Sequence, residues 1–77
     1  MTINEFLRNF ENALEGITAG SLEPKLEFRN LQQWDSLAAL SVMAMVNAEY
    51  DVELAAEELK NSKTIEDLFQ IVAAKRQ

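Results

Sequence analysis

Apolar residues recur every three or four positions near both ends of the chain and lose that rhythm in between. At the start, Ile3, Phe6, Leu7, Phe10 and Leu14 form the i, i+3, i+4 stripe of an amphipathic helix. Thr2 and Glu5 have the spacing of a capping box, in which each side chain bonds the other's unpaired backbone N–H. Gly16, just past Glu15, is the expected left-handed stop. Glu5, Glu11 and Glu15 fall on the outer face and read as solvated charges. Between Gly16 and Trp34 the periodicity fades, and Gly20, Pro24 and Asn30 punctuate a connection that is long for a small domain. Leu22, Leu26, Phe28, Leu31 and Trp34 supply side chains to pin such a loop, and whether it holds a helical turn is left open by the pattern.

The run Leu37 to Tyr50 has neither Gly nor Pro and consists largely of good helix formers. Plotted at about 100° per residue, it shows two apolar sides. Ala39, Val42, Met43, Val46 and Tyr50 cluster on one; Leu37, Leu40, Ala44 and Ala48 cluster opposite, relieved mainly by Ser41. A surface helix normally has a single apolar stripe. This one is expected to be unusually buried or to meet a partner. Ala55–Lys60 is predicted as a short third helix with Leu54 and Leu59 facing inward. Ile65, Leu68, Phe69 and Val72 make the stripe of a last helix, opened by a second box at Thr64 and Asp67 and closed by Lys75 and Arg76, which suit the negative end of the dipole. No strand alternation appears. The pattern predicts one all-α domain over residues 1–77, a small bundle of three longer helices and one short one, with a long loop between the first two.

Composition narrows the chemistry. A hydrophobic content of 48% in 77 residues is that of a folded domain. With no cysteine and no histidine, the chain lacks a thiol nucleophile, a thiolate metal site and the usual general base. The carboxylates have no telling spacing, so neither an enzyme nor a metal site is expected. A net charge of −6 repels nucleic acid and favours partners with basic patches. Glu5, Arg8 and Glu11 interrupt the N-terminal apolar positions, unlike a secretory signal, and no apolar stretch approaches the roughly 20 residues of a membrane span. A cytoplasmic monomer that does not contact membranes is the expectation.

What remains is Trp34-Asp35-Ser36-Leu37. Asp35 and Ser36 are both N-cap residue types placed just ahead of the two-sided helix. In the plain reading Ser36 is a cap worth about 1 kcal/mol. In the sharper reading its hydroxyl carries an anion at a helix N-terminus, where unpaired N–H groups and the dipole favour negative charge. The two are compatible, because an oxygen of the anion can take over the N–H groups that a cap would satisfy.

Asp35-Ser36-Leu37, the helix after it, the acidic return Glu49-Tyr50-Asp51-Val52-Glu53-Leu54 and Phe28 upstream together resemble the acyl carrier proteins, over nearly the whole chain. The resemblance implies a 4′-phosphopantetheine arm on Ser36, installed from coenzyme A by a separate phosphopantetheinyl transferase, with acyl groups held as thioesters on the arm's thiol. Asp35 would be aimed at the transferase and its magnesium ion. Leu37, Leu40, Ala44, Glu49 and Glu53 would meet partner enzymes that transfer or modify acyl groups, through their basic or apolar docking patches. Met43, Leu54 and Leu59 would line the acyl groove.

Two departures stand out. Gln33 and Trp34 occupy a region where many carriers have a glycine. Fatty-acid-synthase carriers often line the outer face of this helix with acids, where this chain offers Ala38, Ser41, Asn47 and Ala48; acids return only from Glu49 onward. A dedicated carrier in polyketide or another specialised acyl or aminoacyl pathway fits this better than general fatty-acid synthesis. A helical interaction module with no prosthetic group would use the same Leu37–Leu40 face.

Overall fold

The computed structural model describes residues 1–76. Its first helix, α1 (Ile3–Ala13), starts where the capping pattern places it: Thr2 Oγ1 accepts the Glu5 N–H at 3.2 Å. Phe6, Phe10 and Leu14 are buried, and Ile3 and Leu7 lie at the edge of the core. The helix stops earlier than Gly16 suggests. Leu14 is already extended (φ −106°, ψ 148°), and its side chain is 7% exposed. Burying a leucine outweighs one more turn of exposed helix, whose propensity is worth only tenths of a kcal/mol per residue. Gly16 does adopt the left-handed conformation (φ 76°), but in the turn after the helix.

The connection to the next helix is fastened by side chains and by its own backbone. Leu22 and Phe28 are buried, while Leu26, Leu31 and Trp34 pack against the core. Phe28–Asn30 forms a 3₁₀ turn, the element the pattern left open. Trp34 stacks on Phe10 with ring centroids 6.2 Å apart and planes 9° apart, and meets Phe28 edge-on at 4.8 Å. Glu11 is more than a solvated charge: its carboxylate accepts the Gly20 N–H at 2.8 Å. Further along, Ile65 and Glu66 donate backbone N–H groups to the carbonyls of Leu26 (3.1 Å) and Pro24 (2.9 Å).

The second helix, α2 (Ser36–Tyr50), packs against both α1 and the last helix. Its sequence is apolar all round, so its neighbours decide which side turns in. They bury Ala38, Val42, Met45, Val46 and Tyr50, leave Ala39 and Met43 half-buried, and expose Leu37, Leu40, Ala44 and Ala48. Tyr50 keeps its hydroxyl satisfied, accepting from Asn9 Nδ2 at 2.9 Å. The helix ends on Asp51 in the left-handed region (φ 54°), a conformation that aspartate tolerates better than most non-glycine residues.

The third helix, α3 (Ala56–Asn61), begins one residue later than the sequence suggests, with the Glu58 carboxylate accepting the Ala55 N–H at 2.9 Å. Leu54 and Leu59 face inward as expected. Arg29, on the 3₁₀ turn, donates to the carbonyls of Leu59 (3.1 Å), Lys60 (2.8 Å) and Ser62, and so satisfies the carbonyls at the end of α3. In α4 (Ile65–Arg76), Ile65, Leu68 and Val72 are buried and Phe69 half-buried. The predicted box is complete in both directions: Asp67 N–H donates to Thr64 Oγ1, and Asp67 Oδ2 accepts from Thr64 N–H, each at 3.1 Å. Lys75 reaches back to Glu58 (2.5 Å) and to the Glu53 carbonyl (2.8 Å). The four α-helices form an all-α bundle, with no strand among the described residues and no helix long and apolar enough to cross a membrane.

Two of these contacts set an acid sensitivity. The N–H groups of Thr64 and Lys63 hold Asp67 below the usual value of 3.8, and the Lys75 ammonium holds Glu58 below 4.5. Because each folded-state pKa lies below its unfolded value, the stabilisation is whole at neutral pH. It is lost as pH falls below those usual values and through the depressed ones. Urea midpoints measured from pH 7 to pH 3 should therefore fall below about pH 4.5, and Asp67→Asn should start lower at neutral pH and lose less on acidification.

Candidate functional site

The approach to Ser36 is rigid because its upstream neighbours are tied down. Trp34 is wedged against Phe10 and Phe28, its N–H bonds the Leu31 carbonyl at 3.0 Å, and Gln33 Nε2 donates to the Gly16 carbonyl at 3.1 Å. Trp34 is legible as a loop anchor in the sequence. Its role in aiming the next two residues, and that of Gln33, is not, because each depends on a distant partner, Phe10 for Trp34 and the Gly16 carbonyl for Gln33.

Asp35 is extended (φ −153°, ψ −173°), and its Oδ1 accepts the Ala38 N–H at 2.8 Å. Asp35 is thus the N-cap and Ser36 the first residue of α2, so the serine hydroxyl is not spent on closing the helix end. The Asp35 carbonyl accepts the Ala39 N–H at 3.0 Å. The N–H groups of Ser36 and Leu37 precede the first intrahelical donor, Ala39. Both residues are exposed, and α2 has no acidic residue in its first turn. A hydroxyl in solvent, at the positive end of a fifteen-residue helix, stands where a negatively charged substituent is favoured.

Leu37 (71% exposed), Leu40 (62%) and Ala44 rise from the serine in one line along the outer face of α2. Glu49, in the last turn of α2, and Glu53, just past its end, are exposed. The outer face is not quite the one read from the sequence. Ala38 is buried and Ser41 half-buried, because α2 turns that edge toward α1; only Asn47 and Ala48 of the four acid-free positions are exposed. Met43, Leu54 and Leu59 belong to the core or its border, Met43 half-buried and the two leucines 4% and 5% exposed.

The family model for phosphopantetheine attachment sites matches residues 5–72, which takes in all of α2, α3 and the capped serine. The chain belongs to the phosphopantetheine-binding carrier proteins. No curated protein and no solved structure gave a match. Carriers of this family hold 4′-phosphopantetheine covalently on a serine and generally act as carriers rather than catalysts. That chemistry fits the composition: a carrier without cysteine has to import its thiol.

Proposed function

We propose that Ser36 is the attachment point, and that the protein passes acyl groups between enzymes as thioesters on the arm's thiol. The observation that carries this is the state of the four serines. Ser21 donates its hydroxyl to the Thr18 carbonyl at 2.6 Å within a turn. Ser62 is 1% exposed and bonds the Glu58 carbonyl. Ser41 lies half-buried along α2. Ser36 alone is exposed at a helix start, with the capping duty taken by its neighbour. Asp35, exposed while it caps, would be presented to the transferase and its magnesium ion. Incubation with coenzyme A, magnesium and a broad-specificity phosphopantetheinyl transferase should add one phosphopantetheine by mass. An unchanged mass across several transferases would favour an interaction module that uses the Leu37–Leu40 face without an arm.

Docking would run along Leu37, Leu40 and Ala44, helped by Glu49 and Glu53. Apolar burial of about 25 cal/mol per Å² would hold the complex. Electrostatic steering, which raises on-rates toward basic patches, would come from the acids at and after the far end of the helix. Met43, Leu54 and Leu59 would receive an apolar acyl chain, at the cost of displacing core packing. An acid-poor α2 of this kind suits a specialised acyl or aminoacyl pathway, served by a cytoplasmic, monomeric carrier. The holo-protein should be a poor substrate for a malonyl transferase of general fatty-acid synthesis. Ala44→Glu with Asn47→Glu, both at exposed positions, should raise that rate several-fold at low salt. The gain should vanish near 1 M salt, where the screening length falls to about 3 Å. Wild-type rates equal to those of an ordinary fatty-acid carrier would rule out the specialised role.

A further inference from the structure

Two hollows lie along the seam between α1 and α2, and because they share Asn12, Ala13 and Ser41 they make one open trough. The first, about 430 Å³, begins at Asp35 and Leu37, the two neighbours of Ser36, and takes in Gln33. The second, about 360 Å³, continues past Asn9, Ala44 and Met45 to Ala48. Small side chains at Ala13, Ser41, Ala44 and Ala48 keep it open, and three carboxamides stand along it. Asn9 and Gln33 are held in place by their bonds to Tyr50 and Gly16, with further donor and acceptor capacity on each amide.

The arm of a carrier is a phosphate followed by a hydroxyl, two amides and a terminal thiol, uncharged past the phosphate. About thirteen bonds separate phosphorus from sulfur, roughly 15 Å at the spacing of an extended peptide. That span equals roughly ten residues of helix, from Ser36 to the level of Met45. We propose that the α1–α2 trough is the berth of the arm, a reading that rests on Ser36 being its attachment point. The two amides lie across Gln33, Asn12 and Ser41, and the thiol comes to rest beside Ala44 and Met45. Glu15 and Asp35 at the mouth would repel a buried phosphate, which keeps the phosphodiester at the helix end and admits only the neutral part. Met43 lies about 160–200° around α2 from Ser41 and Met45, so the berth is separate from the Met43, Leu54 and Leu59 side. It holds the arm between transfers, when no long apolar cargo draws it away.

The test uses isotope-labelled protein loaded with an unlabelled arm, loading being verified by mass. Nuclear Overhauser contacts are expected from the arm's methyl and methylene protons to the methyls of Ala13 and Ala44, with shifted side-chain amide signals for Asn12 and Gln33. Asn12→Leu, which leaves Ser36 and its cap alone, should make the holo thiol react with a maleimide roughly 2–13-fold faster, the factor that one neutral hydrogen bond is worth. Contacts only to Met43, Leu54 or Leu59, no contact beyond residues 35–38, or an unchanged maleimide rate would overturn the berth and leave the attachment at Ser36 standing. An unchanged mass would overturn the attachment, and the berth with it.

Discussion

Ser36→Ala is expected to abolish loading completely while leaving the protein folded. The hydroxyl is the only group removed, and no other serine is both exposed and unengaged at a helix start. The stability cost should stay within about 0.5 kcal/mol, the range for exposed substitutions away from special features, because the cap is made by Asp35. Asp35→Ala should lose ~0.5–2 kcal/mol with the cap and load more slowly, because it keeps the Ser36 hydroxyl but removes the carboxylate presented to the transferase. Mass spectrometry for loading and urea melts for stability read the two effects separately. Residual loading of the Ser36 variant would move the attachment to another residue, and a large loss of stability would mean that the hydroxyl has a structural partner.

Phe10→Ala should be the most damaging of the core substitutions, at about 3–5 kcal/mol. Phe10 is wholly buried and touches Phe6, Phe28 and Trp34, so truncation opens a cavity that α1, the loop and the entry to α2 all border. Small domains have total stabilities near the low end of ~5–15 kcal/mol, so this is most of what holds the fold. The thermal midpoint should fall on the order of 20 °C. Phe69→Ala should cost less: Phe69 is half-buried and meets Phe6 edge-on at 5.6 Å. The single tryptophan gives a local readout, since Trp34 loses its stacking partner in the Phe10 variant and its emission should shift to the red. Equal melts for the two phenylalanine variants would place the core differently.

These contrasts show where the sequence is informative. Thr2, Thr64 and Asp67 are legible because a capping box is a local device, complete within four residues. Ser36 was legible as a helix start for the same reason, though not which of Asp35 and Ser36 did the capping. The rotation of α2 about its axis was not legible. With apolar residues on both sides, nothing local distinguishes Ala38, which is buried, from Leu37 and Leu40, which are not; contact with α1 decides. The end of α1 was misread because the burial of Leu14 outweighs the signal from Gly16. Arg29 carries no local signal, because its partners lie thirty residues or more away.

The grip of Arg29 on α3 bears on how the molecule breathes. At six residues, α3 is well below the roughly 12–15 at which an isolated helix persists in water. It exists because Leu59 is buried, because Arg29 holds its carboxyl end, and because Lys75 holds Glu58 near its start. Two of those three ties are cationic side chains reaching across from other elements. The segment is therefore expected to be a low-stability unit of the native state, whose amides should exchange with solvent ahead of those of α1, α2 and α4. Opening α3 would bare Leu59, so solvent access to this side of the core would be metered by the local unfolding of one short helix.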